Sequence, residues 1–211
     1  YIYPAMEDYK IDFTLDTGMH ARVVSYSLKP FTLIGATTRA GLLTGALRSR
    51  FGIVHNLRFY DDNELTDILV QAANKLENVN INRDALHTIA SRSRGTPRIA
   101  LRLLRRVRDY ADVRCDGNFD ADVINAALTL EGIDEVGMDA LDRTYMETIA
   151  QTYEGGPVGV EAVAASMGED AGTIQDVVEP YLLQVGFLAR TRIGRQITPK
   201  GLEWLKNSVT H

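Results

Sequence analysis

FTLIGATTRAGLLTGALRSRFG, residues 31–52, opens on an apolar, β-prone run and closes with two arginines, Arg48 and Arg50, set just before Phe51-Gly52. A run such as Phe31 to Ile34 has the composition of a strand buried on both faces of a parallel sheet. Gly35-Ala36-Thr37-Thr38-Arg39 follows it, and in open α/β sheets ligands bind beyond the carboxyl ends of the strands. A hydroxyl at that place can orient a water or a phosphate, and a guanidinium can neutralise charge developing on a transferred phosphoryl group. The residues alone leave a second reading open, in which Thr37 and Thr38 merely end a strand and the arginines are solvated.

Composition bounds the partners. At 211 residues and 45% hydrophobic, the chain can form one large domain or two to three small ones with ample core. A net charge of −5 excludes a globally basic, purely electrostatic nucleic-acid binder, so any DNA contact must come from a local patch. The single cysteine, Cys115, excludes an intramolecular disulfide framework and suits a reducing, cytoplasmic setting. His20, His55, His87 and His211 are scattered, and no Cys/His cluster has metal-ligand spacing, so no metal site is expected. No apolar run approaches the ~18 residues of a membrane span, and nothing resembles a signal peptide.

Outward from residues 31–52, the periodicities divide the chain. Ile11 to Leu15 and Val23 to Leu28, around Asp16-Thr17-Gly18, predict a hairpin. His55 to Tyr60 predicts another short strand, after which Asp61-Asp62 caps a helix with a Leu65, Ile68, Leu69, Ala72, Leu76 stripe. Further helices are expected over 83–91, from Thr96-Pro97 onward with a hydroxyl cap and Pro at the first position, and over 121–128. Residues 92–108 hold seven arginines and no acid, spread over more than one helical face. Most of them read as a solvated or intersubunit face. Arg98 stands apart, in the first turn after Gly95-Thr96-Pro97, where backbone N–H groups and the helix dipole favour an anion.

Beyond Glu131-Gly132-Ile133-Asp134-Glu135, helices are expected over 139–153 and 159–167. A third begins near Thr173, with Pro180 bending it. A ribbon then carries Arg190, Arg192 and Arg195 around Ile193-Gly194, and a closing helix holds Trp204. This is the pattern of a winged helix. Gln175, Asp176 and Glu179 make the third helix acidic, which argues against base reading, whereas the wing arginines can hold phosphates without reading bases.

The quoted segment, together with Pro4-Ala5-Met6-Glu7-Asp8-Tyr9, Arg94-Gly95-Thr96-Pro97-Arg98, Gly155-Gly156-Pro157-Val158-Gly159 and Glu179-Pro180-Tyr181-Leu182, resembles the RuvB family of AAA+ Holliday-junction branch-migration motors, in constant order along the whole chain. It departs from the family at Gly45-Ala46, where relatives often carry Pro. The resemblance implies that Thr38 is the sensor 1 residue and that Arg50 is an arginine finger reaching a neighbouring subunit's ATP. An Arg50 buried against its own acidic residue, with no route to an adjoining subunit's triphosphate, would overturn the motor reading. It also implies that Arg98 is the sensor 2 arginine, that Glu7, Asp8, Tyr9 and Tyr60 lie at the nucleotide, and that Arg190 and Arg195 contact DNA. The hairpin would dock a RuvA-like junction-binding protein, and the assembly would be a homo-hexamer on double-stranded DNA. ATP and Mg²⁺ are the implied cofactors. No G-x-x-x-x-G-K-S/T occurs, and no acidic pair ends an apolar strand. The expectation is therefore a portion of a longer ATPase, inactive alone, with phosphate loop and Mg²⁺ ligands upstream.

The expected fold is an α/β remnant of an AAA+ large subdomain over 1–59, a four-helix AAA+ lid over 60–131 and a winged-helix domain over 132–211. Two other readings remain at this point. One is a winged-helix transcription regulator with a non-hydrolysing AAA+-like segment, and the other is a loader-type adaptor that binds only proteins.

Overall fold

The computed structural model describes residues 2–14, 23–38, 40–76 and 82–208. The chain divides into two units, residues 1–57 and 58–211.

The first unit opens with helix α1 (Ile2–Glu7). Strands β1 (Lys10–Thr14) and β2 (Val23–Ser27) pair antiparallel, with Lys10 opposite Ser27 and Thr14 opposite Val23. This is the expected hairpin; its Asp16-Thr17-Gly18 turn lies outside the described residues. Phe31 to Ile34 is not a strand, contrary to the sequence reading, and Ile34 is 88% exposed. A strand exists through its ladder, and the sheets among the described residues are two antiparallel pairs, neither of which includes this run. His55 to Tyr60 likewise forms no strand, for the same reason. A 3₁₀ turn over Ala40–Leu42 leads into helix α2 (Gly45–Arg48), whose cap Thr44 accepts from Leu47 N at 3.2 Å.

The second unit holds two hydrophobic cores. Helices α3 (Asp62–Ala73), α4 (Arg83–Ser91), α5 (Pro97–Arg114) and α6 (Ala121–Leu130) surround the first. Leu65, Leu69, Leu86, Ile89, Leu103, Leu104, Ile124 and Leu128 fill it. Asp61 and Glu64 form a reciprocal capping box that starts α3, while Asn82 and Asp120 cap α4 and α6. Thr96 does not cap α5 as the sequence suggested. Its hydroxyl donates to Arg94 O at 3.2 Å instead, and Pro97 alone sets the entry.

The second core contains Tyr145, Met146, Ile149, Val163, Ile174, Val178, Leu182 and Leu188. Around it lie α7 (Ala140–Thr152), α8 (Val160–Met167), α9 (Ala171–Thr173), α10 (Glu179–Gln184), strands β3 (Leu188–Thr191) and β4 (Gly194–Ile197), and α11 (Pro199–Ser208). Between α9 and α10 the helix widens to a π turn over Ile174–Val178, with Glu179 N bonded to Ile174 O. Pro180 crowds the carbonyl four residues before it in an α-helix, and the wider turn relieves that clash. Helices followed by the β3–β4 ribbon and a closing helix make a winged helix. Among the described residues no helix is long and apolar enough to cross a membrane.

Candidate functional site

In the first unit, Arg50 follows α2 and turns back onto α1. Its Nε lies 2.8 Å from Glu7 Oε1, its Cζ sits 4.5 Å from the centre of the Tyr3 ring, and its Nη1 donates to Ala46 O at 2.6 Å. Tyr3 and Thr44 share a hydroxyl–hydroxyl bond at 3.1 Å, which ties α1 to the start of α2. Arg50 thus does sit against an acidic residue of its own chain. The Nε–H is not aimed at the carboxylate and finds no hydrogen-bond partner, so the contact is electrostatic only. The side chains are 25% and 52% exposed, yet the Arg50 Nε itself is buried, so the ion pair is only partly screened by solvent. Glu7 and Arg50 are therefore brought together. Tyr9, two residues on, has φ +53° and packs its ring edge-on against Phe31 at 5.9 Å. Asp8 and Thr38 are exposed.

In the second unit, Tyr60 N donates to Gly95 O at 3.0 Å, which fixes the approach to α3 against the loop that opens α5. Gly95 has φ +66°, and a Cβ there would stand 2.7 Å from Phe59 Cβ and 3.1 Å from Tyr60 O. Only glycine fits so close an approach. Three residues later Arg98 is exposed and makes no ion pair or hydrogen bond among the described residues. With Thr96 turned away, no side chain caps the N–H groups of α5. An 18-residue helix opening in this way beside a solvent-facing arginine suits a phosphate group.

Arg94 departs from the expectation of a solvated arginine face. It is 10% exposed and reaches across to the winged helix. Its Nε donates to Gly137 O at 2.7 Å, and its Nη2 donates to Asp139 Oδ2 at 2.9 Å and Asp142 Oδ2 at 2.5 Å. The guanidinium also lies 5.2 Å from the centre of the Tyr181 ring. Asp139 and Asp142 form the capping box of α7, so one cation serves two carboxylates that already hold a helix start. Burial pushes the Asp142 carboxyl up to about 6, and the attraction of Arg94 offsets this only in part. For Asp139 burial acts in the same direction but is outweighed by the hydrogen bond from Asp142 N and the charge of Arg94, so it lies below the usual range.

At the wing, Arg190 and Arg195 face each other in the β3–β4 register. Both guanidinium groups converge on Glu179, which is fully buried. Arg195 Nε donates to Glu179 Oε1 at 2.8 Å, Arg190 Nε donates to Oε2 at 2.8 Å with a second contact from Nη2, and Tyr145 OH donates to Oε1 at 2.8 Å. Burial raises the Glu179 carboxyl, but the hydrogen bonds from Arg195, Tyr145 and Arg190 outweigh it and hold the group below its ordinary value. Burial and then the bond to Glu179 push the Tyr145 phenol up. The backbone of Arg195 is pinned as well: its N donates to Val158 O at 2.7 Å and its O accepts from Val158 N at 2.9 Å. Glu179 is therefore not a surface acid on a recognition helix, as the sequence suggested. Arg192, at the tip, is exposed. Among the described residues no group of His, Cys, Asp and Glu could hold a metal ion.

A four-helix body carrying an open arginine at the start of its longest helix, followed by a winged helix, defines the lid and C-terminal module of an AAA+ protein. Three family models match in chain order: the P-loop domain of the Holliday junction DNA helicase RuvB over residues 1–57, the RuvB AAA lid domain over 60–134 and the RuvB C-terminal winged-helix domain over 135–206. The chain belongs to the RuvB family. Among solved structures, the Thermotoga maritima RuvB Holliday junction branch migration motor is 46% identical, covering 97% of this chain and 63% of that one with a TM-score of 0.85. A point variant of the Thermotoga maritima protein matches at 47% identity and TM-score 0.85 over 97% of this chain and 64% of that one. Another matches at 50% and 0.80 over 85% and 60%. The chain spans just under two thirds of the length of these relatives.

Sequence reasoning missed Arg94 with Asp139 and Asp142, and Glu179 with Tyr145. Arg94 and Glu179 stood in the quoted segments, but nothing in their spacing showed that both are buried.

Proposed function

We propose that this chain is part of an ATP-driven DNA translocase that moves Holliday junctions by branch migration in recombination and repair. The observation that carries the reading is the unbroken order of three RuvB domain matches along almost the whole chain, alongside high identity to a branch migration motor. In this reading the functional divisions run over 1–59, 60–131 and 132–211. Thr38 and Arg50 serve hydrolysis, and Arg50 leaves Glu7 to reach the triphosphate of a neighbouring subunit. That movement requires Arg50 to give up Glu7, the Tyr3 ring and the bond to Ala46 O together. Arg98 contacts nucleotide phosphate, with Tyr60 held beside its loop and Glu7, Asp8 and Tyr9 at the nucleotide. ATP would supply the driving free energy through its hydrolysis to ADP and phosphate. Since no G-x-x-x-x-G-K-S/T occurs in these residues, this chain alone is expected not to turn over ATP.

The wing grips DNA backbone through Arg190 and Arg195, without base reading, as a sequence-independent translocase requires. The hairpin exposes Phe13, Val23, Val24 and Tyr26, an apolar surface suited to a RuvA-like junction-binding partner. A cytoplasmic homo-hexamer completes the proposal. The transcription-regulator reading loses its footing to the family matches. Of the acids on the third helix, Glu179 is buried and Asp176 stays exposed.

The test is strand exchange on a synthetic four-way junction by the intact polypeptide with its junction-binding partner, with and without ATP. ATP-dependent conversion to duplex products is expected. Sequence-specific protection of one DNA site, with no junction movement, would overturn the proposal.

A further inference from the structure

We propose that Glu179 is a positioning residue for the DNA contact: buried beneath the wing, it holds Arg190 in the orientation that presents its outer N–H groups to a phosphate. The inference rests on the reading that Arg190 meets DNA.

Two guanidinium groups directly opposite in a two-stranded ribbon repel one another. Here the carboxylate beneath them removes that conflict, and one acid against two arginines leaves a net single positive charge at the foot of the wing. The two arginines are not equivalent. Arg195 is 19% exposed and its backbone is bonded to Val158 through both N and O, so it is the more enclosed and more fixed of the two. Arg190 is 48% exposed. Its Nε and Nη2 face Glu179, which leaves Nη1 without a partner among the described residues and turned from the acid. A guanidinium has five donors in a rigid fork, so fixing one edge sets the direction of the rest. Tyr145 OH donates a further bond to Oε1, so that both carboxylate oxygens are held. A free arginine would lose that side-chain freedom on binding, whereas one already held has less to lose.

Charge alone makes the opposite prediction. Removing an acid beside a phosphate-binding surface adds one unit of positive charge, which should tighten DNA binding. The experiment compares duplex DNA affinity of this chain with its Glu179→Gln, Glu179→Asp and Arg190→Ala variants over a series of salt concentrations. Folding of each is checked by far-UV circular dichroism. Positioning predicts that Glu179→Gln binds roughly tenfold more weakly, with the slope of log affinity against log salt reduced by up to about 0.9, the contribution of one phosphate contact. Tighter or unchanged binding overturns the proposal. Glu179→Asp keeps the charge but withdraws the carboxylate by one methylene, and it should also bind more weakly; unchanged affinity there overturns the proposal even where Glu179→Gln does not fold. Arg190→Ala separates the two readings. If it weakens binding while both Glu179 variants do not, only the positioning role falls. If it too changes nothing, the wing contact falls and the positioning role with it.

Discussion

Arg94 Nη2, on the four-helix body, lies 2.5 Å from Asp142 Oδ2, in the first turn of the winged helix. Asp142 is fully buried, and Asp139 takes a second bond from the same nitrogen at 2.9 Å. This guanidinium is the most enclosed of several links between the two hydrophobic cores, beside Arg143, which donates to Gly132 O at 2.7 Å, and Trp204, whose Nε1 donates to Asp134 Oδ2 at 3.2 Å. Arg94→Met should cost about 3–5 kcal/mol, the usual penalty for removing one partner of a buried pair. Trp204, stacked on Phe187 at 5.4 Å, reports the winged helix by fluorescence. In urea its transition is expected to separate from the loss of far-UV helix signal, whereas coincident curves would show that the bridge does not couple the two bodies.

The two buried carboxylates respond to acid in opposite directions. Asp142 has its folded value raised to about 6 from 3.8, so the native chain takes up a proton more readily than the unfolded one. Its contribution to stability therefore grows as pH falls from above 6 toward 4. Glu179 is depressed, so its contribution is complete above the ordinary glutamate value and is lost as pH falls through the lower folded one. Denaturant midpoints against pH test this. Relative to Asp142→Asn, the wild type should gain on mild acidification; relative to Glu179→Gln, it should lose below about pH 4.5.

Gly95→Ala places a methyl group 2.7 Å from Phe59 Cβ in a left-handed conformation. The backbone term is about 1–2 kcal/mol and the overpacking adds about 1–3. A fall in melting temperature of several degrees is expected, together with weakened nucleotide binding by the intact protein, because the same loop opens α5 beside Arg98.

Arg50→Ala should leave stability within about 1 kcal/mol of the wild type, since its partner Glu7 is half exposed. In the assembled intact protein the same change should lower ATP hydrolysis by roughly 10³–10⁵. Calorimetry and steady-state turnover on one preparation separate the two effects. A large stability loss with normal turnover would assign Arg50 to the Glu7 contact alone.

Local signals carried the helices well. Asp61 with Glu64, Asn82 and Asp120 are cap residues visible in sequence, and the Leu65 to Ala72 stripe faces the first core as its period requires. The ribbon and its arginines were equally plain. The strands at 31–34 and 55–60 were not realised, because an apolar run becomes a strand only when a neighbour supplies its ladder. Thr96 looked like a cap, yet its hydroxyl took the nearer Arg94 carbonyl. Burial of Arg94 and Glu179 was invisible, since composition cannot distinguish a charged side chain in water from one enclosed by its counter-ions. The contact of Arg50 with Glu7 joins residues 43 positions apart, beyond the reach of any local pattern.

The widened turn over Ile174–Val178 places Glu179 directly under Ile174, five residues on rather than four. In a regular α-helix each residue advances about 100°, so the extra residue rotates everything after it by that angle. Deleting one residue from the turn would rewind the segment and swing the carboxylate out from beneath the ribbon. A length change of one amino acid would leave two like charges confronting each other across the hairpin with nothing between them.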